Sequence, residues 1–186
     1  YHINILTVLD ELISLYPERL AMFCERIKKY RLKWMAQIRV DSINEDTVKM
    51  MRDSGCFSVS IGIEHVNQGV LDSYNKHITR EQIENGLELL YKHKVGIQGN
   101  ILFGGPAETD KTIYEAIRWR EDHSKYMINL TAVIPYPGTA LFKLGVDRGL
   151  INPKDFLEND CPFGNFAGAT LELPMDCMWG EVISTD

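Results

Sequence analysis

Short apolar runs alternate with amphipathic runs along most of this chain. Five of the apolar runs have the length and composition of β-strands. The predicted strands are residues 2–8, 33–40, 57–64, 96–104 and 128–135. 

The runs between these strands have helical periodicity and recognisable start and stop residues. Pro17 suits a first helical turn, Asn44 is a predicted N-cap and Gly55 a predicted stop. Thr79 and Gln82 have the spacing of a capping box. The predicted helices are residues 17–30, 44–55, a run from 79 that buries Ile83, Leu87 and Leu90, then 109–119 and 137–151.

Five strands separated by helices indicate repeated βα units, and therefore a parallel α/β sheet that is either open or curled into a barrel. In both architectures the ligand site lies at the carboxyl ends of the strands. The pattern is lost from about residue 152, where turn residues dominate and 169–173 is the one predicted strand. We expect residues 152–186 to be a wrapping tail or the start of a further domain.

Composition and charge narrow the class of protein. The chain has 186 residues, a net charge of −6 and 45% hydrophobic residues, which argues against nucleic acid or an anionic membrane as its main partner. No apolar run has the roughly 18 residues of a membrane helix, and the first residues do not form a signal peptide. The four cysteines are far apart, so we expect reduced thiols and a cytoplasmic protein. Since the first residue is Tyr1 and not Met, we expect a fragment of a longer chain.

Polar residues mark the end of each predicted strand. On an enclosed parallel strand such residues are costly unless they are paired or line a cavity. A purely structural ion pair between Arg39 and Glu64 would account for the polar residues of two strands. Polar or glycine-rich ends on five consecutive strands instead favour a ligand site. The scattered histidines, among them His65, are interpreted as surface or packing residues. The candidates are Asp10, Glu11, Gln37, Arg39, Asp41, Ser58, Ser60, Gly62, Glu64, Gly104, Gly105 and Glu108, followed by the segment PYPGT from residue 135.

The segment GNILFGGPAET, residues 99–109, combines a strand with a turn that has almost no side chains. Gly104 and Gly105 would let the backbone approach a flat ligand, and Pro106 would fix the turn. Glu108 is predicted in the first helical turn, where it accepts backbone N–H groups. A phosphate-binding loop is the alternative, but Glu108 would place negative charge where the phosphate binds.

The chain contains, in this order, the motifs QxRxD, SGC, IGIE, NK-ITREQI, GGPAET and PYPGT. With this combination the sequence resembles the radical S-adenosylmethionine (radical SAM) enzymes. The likeness is strongest to the branch whose members often carry a cobalamin-binding domain, and it covers roughly residues 3 to 150. It implies a partial (β/α)6 TIM-like barrel over residues 1–151 that lacks its first βα unit and holds the second to sixth strands.

The resemblance also implies cofactors and residue roles. Family members bind a [4Fe–4S] cluster through a CxxxCxxC loop, cleave S-adenosylmethionine reductively and start radical chemistry on a substrate, which for this chain is unknown. An electron donor such as flavodoxin or ferredoxin is implied, and cobalamin is a further possible cofactor. The matching positions are Asp10 and Glu11 for the amino group of S-adenosylmethionine, Gln37 and Arg39 facing the cavity with Arg39 near the carboxylate, Ser60 on the lining strand, Glu64 for the ribose, and Gly104, Gly105, Glu108 and Tyr136 around the adenine.

The chain departs from the family pattern at the cluster. The CxxxCxxC loop is absent, and Cys56 belongs to the SGC motif, which does not hold the cluster. We therefore predict no metal ligands here, and an isolated chain that neither binds the cluster nor cleaves S-adenosylmethionine. Truncation of a longer enzyme is the favoured explanation, and a cluster-free barrel that acts as a scaffold or binding domain is the alternative.

Overall fold

A computed structural model describes residues 3–10 and 13–154 of the chain. Its strands are β1 (Ile5–Val8), β2 (Lys33–Ile38), β3 (Cys56–Glu64), β4 (Gly96–Phe103) and β5 (Met127–Ala132). Its α-helices are α1 (Pro17–Lys28), α2 (Glu45–Asp53), α3 (Gln68–Ser73), α4 (Arg80–Lys92), α5 (Asp110–Asp122) and α6 (Ala140–Asp147), and a 3₁₀ helix spans Val40–Ser42.

The five strands form one sheet in the order β1-β2-β3-β4-β5. β1 pairs with β2, β2 with β3 and β3 with β4, each in parallel. The register places Gln37 beside Ser60, and Ser60 beside Gln98. The sheet is open, with a helix after each of the first four strands, so the predicted fold class of a partial parallel barrel is confirmed.

The two faces of the sheet differ in chemistry. On β3 the alternate residues Val59, Ile61 and Ile63 are completely buried in the core beneath the helices. Ser60 and Gly62 alternate with them and are half-buried on the opposite face. The polar face is therefore the concave, inner face of the partial barrel, and the apolar face carries most of the burial that stabilises the fold.

The helix signals of the sequence are largely confirmed. The side chain of Asn44 accepts the N–H of Thr47, and Gly55 ends the turn after α2 with φ 102°. Thr79 and Gln82 form the predicted capping box of α4. Helix α3 was not predicted, because its six residues bury only Val70 and Leu71, too few positions to establish a period.

The sequence placed the end of β2 too late. The strand ends at Ile38, and the backbone then turns into the 3₁₀ helix Val40–Ser42. Ser42 Oγ donates to the carbonyl of Arg39, and the N–H of Ser42 donates to the same oxygen, which holds this turn. Gln37, Arg39 and Asp41 therefore do not continue one strand face.

The chain divides into two units, residues 1–131 and 132–186. In the second unit, Thr139 caps α6 by accepting the N–H of Phe142 at 3.2 Å. The boundary expected at residue 151 stays a prediction, and the strand expected at 169–173 lies outside the described residues. Within residues 3–10 and 13–154, no helix has the length and apolarity needed to cross a membrane.

Candidate ligand site at the carboxyl edge of the sheet

The carboxyl end of β2 carries an ion pair between Arg39 and Asp41. Arg39 Nε lies 3.0 Å from Asp41 Oδ1, and Nη2 lies 2.7 Å from Oδ2, so the guanidinium binds the carboxylate through two nitrogens. The bound guanidinium lowers the pKa of Asp41, and the hydrogen bonds to Asp41 raise the pKa of Arg39. Arg39 thus pairs with its own turn, not with Glu64 as the sequence had allowed.

The carboxyl end of β3 presents Glu64 in an unusual backbone conformation. Glu64 has φ 61°, in the left-handed region that a residue with a side chain seldom adopts. Its Oε1 accepts a hydrogen bond from Lys76 Nζ at 2.5 Å, with both side chains mostly buried. Gly62 makes room for this pair, because a Cβ there would overlap Glu64 Oε1 and lie 3.0 Å from Lys76 Nζ.

The turn after β4 is held by Glu108. Glu108 Oε2 accepts the N–H of Gly105 at 2.8 Å and also the N–H of Gly104, whose φ of 96° requires glycine. The predicted position in the first helical turn is wrong, because α5 begins at Asp110 with Thr109 as its N-cap. Since Glu108 precedes the helix, it binds the N–H groups of the turn before it and leaves those of the helix to Thr109.

His65, which the sequence suggested to be a surface or packing residue, is completely buried beside this turn. Its Nδ1 accepts the N–H of Asn67 at 2.9 Å, and its Nε2 lies 3.4 Å from Glu108 Oε1. Burial lowers the pKa of His65, which favours the neutral ring. Burial raises the pKa of Glu108, and the N–H groups of Gly105 and Gly104 oppose that change. 

Tyr74, at the end of α3, closes the other side of the turn. Its ring lies against Gly105, where a Cβ would be 2.6 Å from Tyr74 Cε1 and Cζ. Burial raises the pKa of the Tyr74 phenol, and the charges of Glu108 and Glu64 raise it further. Within the part of the chain that the structure describes, the buried side-chain atoms without a hydrogen-bond partner are His65 Nε2, Tyr74 Oη and Glu108 Oε1.

Uncharged polar side chains line the concave face below this edge. Asn100 Nδ2 donates to Ser60 Oγ at 3.2 Å, and Asn129 Nδ2 donates to Asn100 Oδ1 at 3.1 Å. Gln37 and Ser60 also border a cavity of about 370 Å³ together with residues of β1 and β2. Sequence reasoning missed Asn100 and Asn129, although Gln98 and Asn100 at alternate positions of β4 were a usable signal for Asn100.

The remaining predicted residues make other contacts or lie outside the described residues. The Asp10 carboxylate pairs with Arg19 of α1. Glu11 lies outside the described residues. Tyr136 belongs to the second unit, where about half of its surface is exposed and its carbonyl accepts the N–H of Thr139. 

The described cysteines do not suit metal binding. Cys24 and Cys56 are buried and free, and burial raises the pKa of both thiols, that of Cys56 to about 12. A cluster ligand must be a thiolate, which this environment disfavours. Among residues 3–10 and 13–154, no group of three or more His, Cys, Asp or Glu side chains could hold a metal ion.

Comparison with known proteins identifies the family. Residues 4–120 match the family model of the Radical SAM superfamily. Since this match covers more than half of the chain, the protein belongs to the Radical SAM superfamily. The resemblance seen in the sequence motifs is thereby confirmed.

The curated relatives are longer enzymes. The chain is 29% identical to an uncharacterized methyltransferase of Pyrococcus horikoshii over 81% of its own length and 33% of the relative's. It is 30% identical to the bacteriochlorophyllide d C-12(1)-methyltransferase of Chlorobaculum tepidum, over 75% of this chain and 31% of that protein. The chain therefore spans about a third of the length of these relatives.

A solved structure supports the fold. The radical S-adenosylmethionine methyltransferase TsrM from Kitasatospora setae, with cobalamin and a [4Fe–4S] cluster bound, superposes with a TM-score of 0.64 at 16% identity. The superposition covers 72% of this chain and 29% of TsrM. At this level of identity the likeness concerns the arrangement of strands and helices.

Proposed function

We propose that this chain is the S-adenosylmethionine-binding part of a radical SAM catalytic domain. The observation that carries the proposal is a row of three separate polar contacts at the carboxyl ends of β2, β3 and β4, in a chain that belongs to this superfamily. They are Arg39 with Asp41, Glu64 with Lys76, and Glu108 with Gly105. Ligands of open parallel sheets bind at this edge.

The charges and turns at this edge fit the groups of S-adenosylmethionine. Arg39 and Lys76 are cations that would bind its carboxylate, and the Glu64 carboxylate would accept hydrogen bonds from ribose hydroxyls. The Gly104 backbone, held by Glu108, would form the wall for adenine, since the Tyr74 ring occupies the space beside Gly105. When bound and reductively cleaved, S-adenosylmethionine supplies the 5′-deoxyadenosyl radical that starts the reaction.

The [4Fe–4S] cluster does not fit the described residues, since they offer only two buried thiols. We infer that the cluster ligands belong to other parts of the full-length protein. Reduction by a flavodoxin-like or ferredoxin-like donor, and the use of cobalamin, are further parts of this proposal.

Methyl transfer is the reaction class that the relatives favour. Two are named methyltransferases, and TsrM is a methyltransferase with cobalamin bound. Transfer would leave S-adenosylhomocysteine, whereas radical cleavage leaves 5′-deoxyadenosine and methionine. A radical methyl transfer would form both, from two molecules of S-adenosylmethionine, so 5′-deoxyadenosine is the product that separates radical cleavage from polar methyl transfer.

The test uses the full-length protein, reconstituted anaerobically with iron and sulfide and reduced with dithionite. We expect it to bind S-adenosylmethionine and to release 5′-deoxyadenosine, measured by chromatography. Glu64→Gln should weaken binding about tenfold, as expected for one lost charged hydrogen bond. The matched control Glu25→Gln, on the exposed side of α1, should bind as the wild type does.

Other results would decide against parts of the proposal. S-adenosylhomocysteine without 5′-deoxyadenosine would exclude radical cleavage and leave polar methyl transfer. A full-length protein that binds neither cluster nor S-adenosylmethionine would support the cluster-free scaffold.

A further inference from the structure

We propose that His65 is a positioning residue that fixes the Gly104–Gly105 turn through the carboxylate of Glu108. The inference deepens the proposed function, on which it rests only for the identity of the ligand that the turn receives. His65 itself would not touch that ligand, because it is completely buried.

The hydrogen bonds of His65 define which ring nitrogen carries the proton. Nδ1 accepts the N–H of Asn67 at 2.9 Å, so it holds a lone pair. A neutral imidazole has one donor and one acceptor, and Nε2 therefore carries the hydrogen. This hydrogen is on the nitrogen that lies 3.4 Å from Glu108 Oε1.

The two oxygens of Glu108 have different partners. Oε2 accepts the N–H groups of Gly104 and Gly105, and Oε1 faces His65. Only 3% of the Glu108 side chain is exposed, and a buried carboxylate is costly unless both oxygens are stabilised. The Nε2–H group lies nearest to Oε1, and neither atom has a hydrogen-bond partner in this structure.

At 3.4 Å, the contact between His65 Nε2 and Glu108 Oε1 does not have the geometry of a hydrogen bond. Site hydrogen bonds are often long without ligand and shorten in the complex. We therefore expect the contact between His65 and Glu108 to tighten when a ligand packs on the turn. His65 would thus connect the end of β3 to the turn after β4.

The end of β3 places His65 for this contact. His65 continues the buried positions Ile61 and Ile63, while Glu64 between them belongs to the half-buried positions. The N–H of His65 donates to the carbonyl of Ile63 at 2.8 Å, which closes a tight turn around Glu64 with its φ of 61°. Glu64 therefore pairs with Lys76, while the adjacent His65 faces Glu108.

The test compares three variants of the full-length protein. His65→Phe fills similar space without a donor, and His65→Gln keeps an N–H donor. His93→Gln is the matched control, because His93 pairs with Glu45 at 2.8 Å, away from the turn. Each variant is compared with the wild type by hydrogen exchange of the segment 99–110 and by equilibrium binding.

We expect His65→Phe to raise exchange at Gly104 and Gly105 and to weaken binding of 5′-methylthioadenosine at least about tenfold, as for a lost hydrogen bond to a charge. Binding of L-methionine, which has no adenine, should stay unchanged. His65→Gln should restore most of both properties, and His93→Gln should behave as the wild type. A merely structural role would instead weaken both ligands equally and raise exchange throughout the chain.

Failure of the inference and failure of the proposed function give different results. A wild type that binds no 5′-methylthioadenosine contradicts the proposed function, while hydrogen exchange still decides the role of His65. Unchanged exchange at the turn in His65→Phe overturns the inference. If His65→Phe does not fold, ¹⁵N NMR of the wild-type histidines decides instead, because a proton on Nδ1 in place of Nε2 would overturn it.

Discussion

At the scale of the residue, two adjacent glycines are required for different physical reasons. Gly104 has φ 96°, so its backbone conformation requires glycine. Gly105 has no such conformation, but its missing Cβ leaves the space that the Tyr74 ring occupies. The sequence predicted that both glycines admit a ligand, whereas only a structure reveals that Tyr74 covers one of them.

Gly105→Ala should therefore destabilise the protein. The new Cβ would overlap the Tyr74 hydroxyl and lie 2.6 Å from two ring carbons, and overpacking of this kind costs about 1–3 kcal/mol. Urea unfolding measures the change. The control Gly69→Ala on α3, with its nearest contact at 3.4 Å, should be neutral or slightly stabilising. Combined with Tyr74→Ala, Gly105→Ala should cost less than it does alone, and strict additivity would contradict this contact.

The buried thiol of Cys56 predicts a loss of stability at alkaline pH. Burial raises its pKa from 9.0 to about 12, so the folded protein keeps a proton that the unfolded chain releases. The contribution is complete below the unfolded pKa and is lost as pH rises toward the folded value, by at most about 1.4 kcal/mol per pH unit. Unfolding of the wild type and of Cys56→Ser, from about pH 8 to about pH 11, should give a smaller slope for the variant. Equal slopes would show that Cys56 does not titrate as expected.

Residue-scale prediction from sequence succeeded where a position had a local signal. Glu64 and Glu108 stood out as carboxylates at strand ends, and both make mostly buried polar contacts at the carboxyl edge. His65 had no signal, since a lone histidine next to a strand is compatible with many roles. Its partner Glu108 lies over forty residues away, and such a contact depends on the sheet register.

At the scale of the element, the 3₁₀ helix Val40–Ser42 connects β2 to the site, and α4 supports it. Gly86 of α4 faces Val40 and Ile43, where a Cβ would lie 2.8 Å and 3.3 Å from their side chains. This close approach lets a helix of the outer layer hold the turn that carries Arg39 and Asp41.

Gly86→Ala tests this support. Alanine in a helix interior ordinarily raises the free energy of unfolding by about 1 kcal/mol relative to glycine. Here we expect the crowded contact to lower it by about 1 kcal/mol net. Urea unfolding measures it, with Gly69→Ala on α3 as the uncrowded control. Val40→Ala should relieve the crowding in the double variant. A stabilised Gly86→Ala would contradict the close packing of α4 on the 3₁₀ helix.

The elements themselves were predictable to different extents. Capping residues and buried stripes located α2 and α4, because those signals are local. The end of β2 and the helix α3 were missed, because a 3₁₀ turn and a six-residue helix are decided by tertiary contacts. Tyr74 and Lys76, which follow α3, were missed with it.

At the scale of the whole molecule, the described residues form a sheet whose edge suits an organic ligand, but they do not form a metal site. The parallel sheet has an apolar, buried face and a polar concave face, which the alternating pattern of β3 had predicted. The carboxyl edge offers cations and carboxylates for an organic ligand. The same described residues offer no metal site.

This difference leads to a prediction for the isolated 186-residue chain. A [4Fe–4S] cluster requires at least three thiolates in this superfamily, and Cys24 and Cys56 are buried as neutral thiols. Cys161 and Cys177, outside the described residues, are then the two remaining candidate ligands, one fewer than the three that the cluster requires. After anaerobic reconstitution and desalting, the chain should hold less than one cluster per molecule by iron and sulfide analysis, while the full-length protein holds one. Cys161→Ala with Cys177→Ala should leave the iron content of the chain unchanged. A stoichiometric cluster that disappears in this double variant would place the cluster ligands inside the chain. It would overturn the proposal that these ligands belong to other parts of the full-length protein.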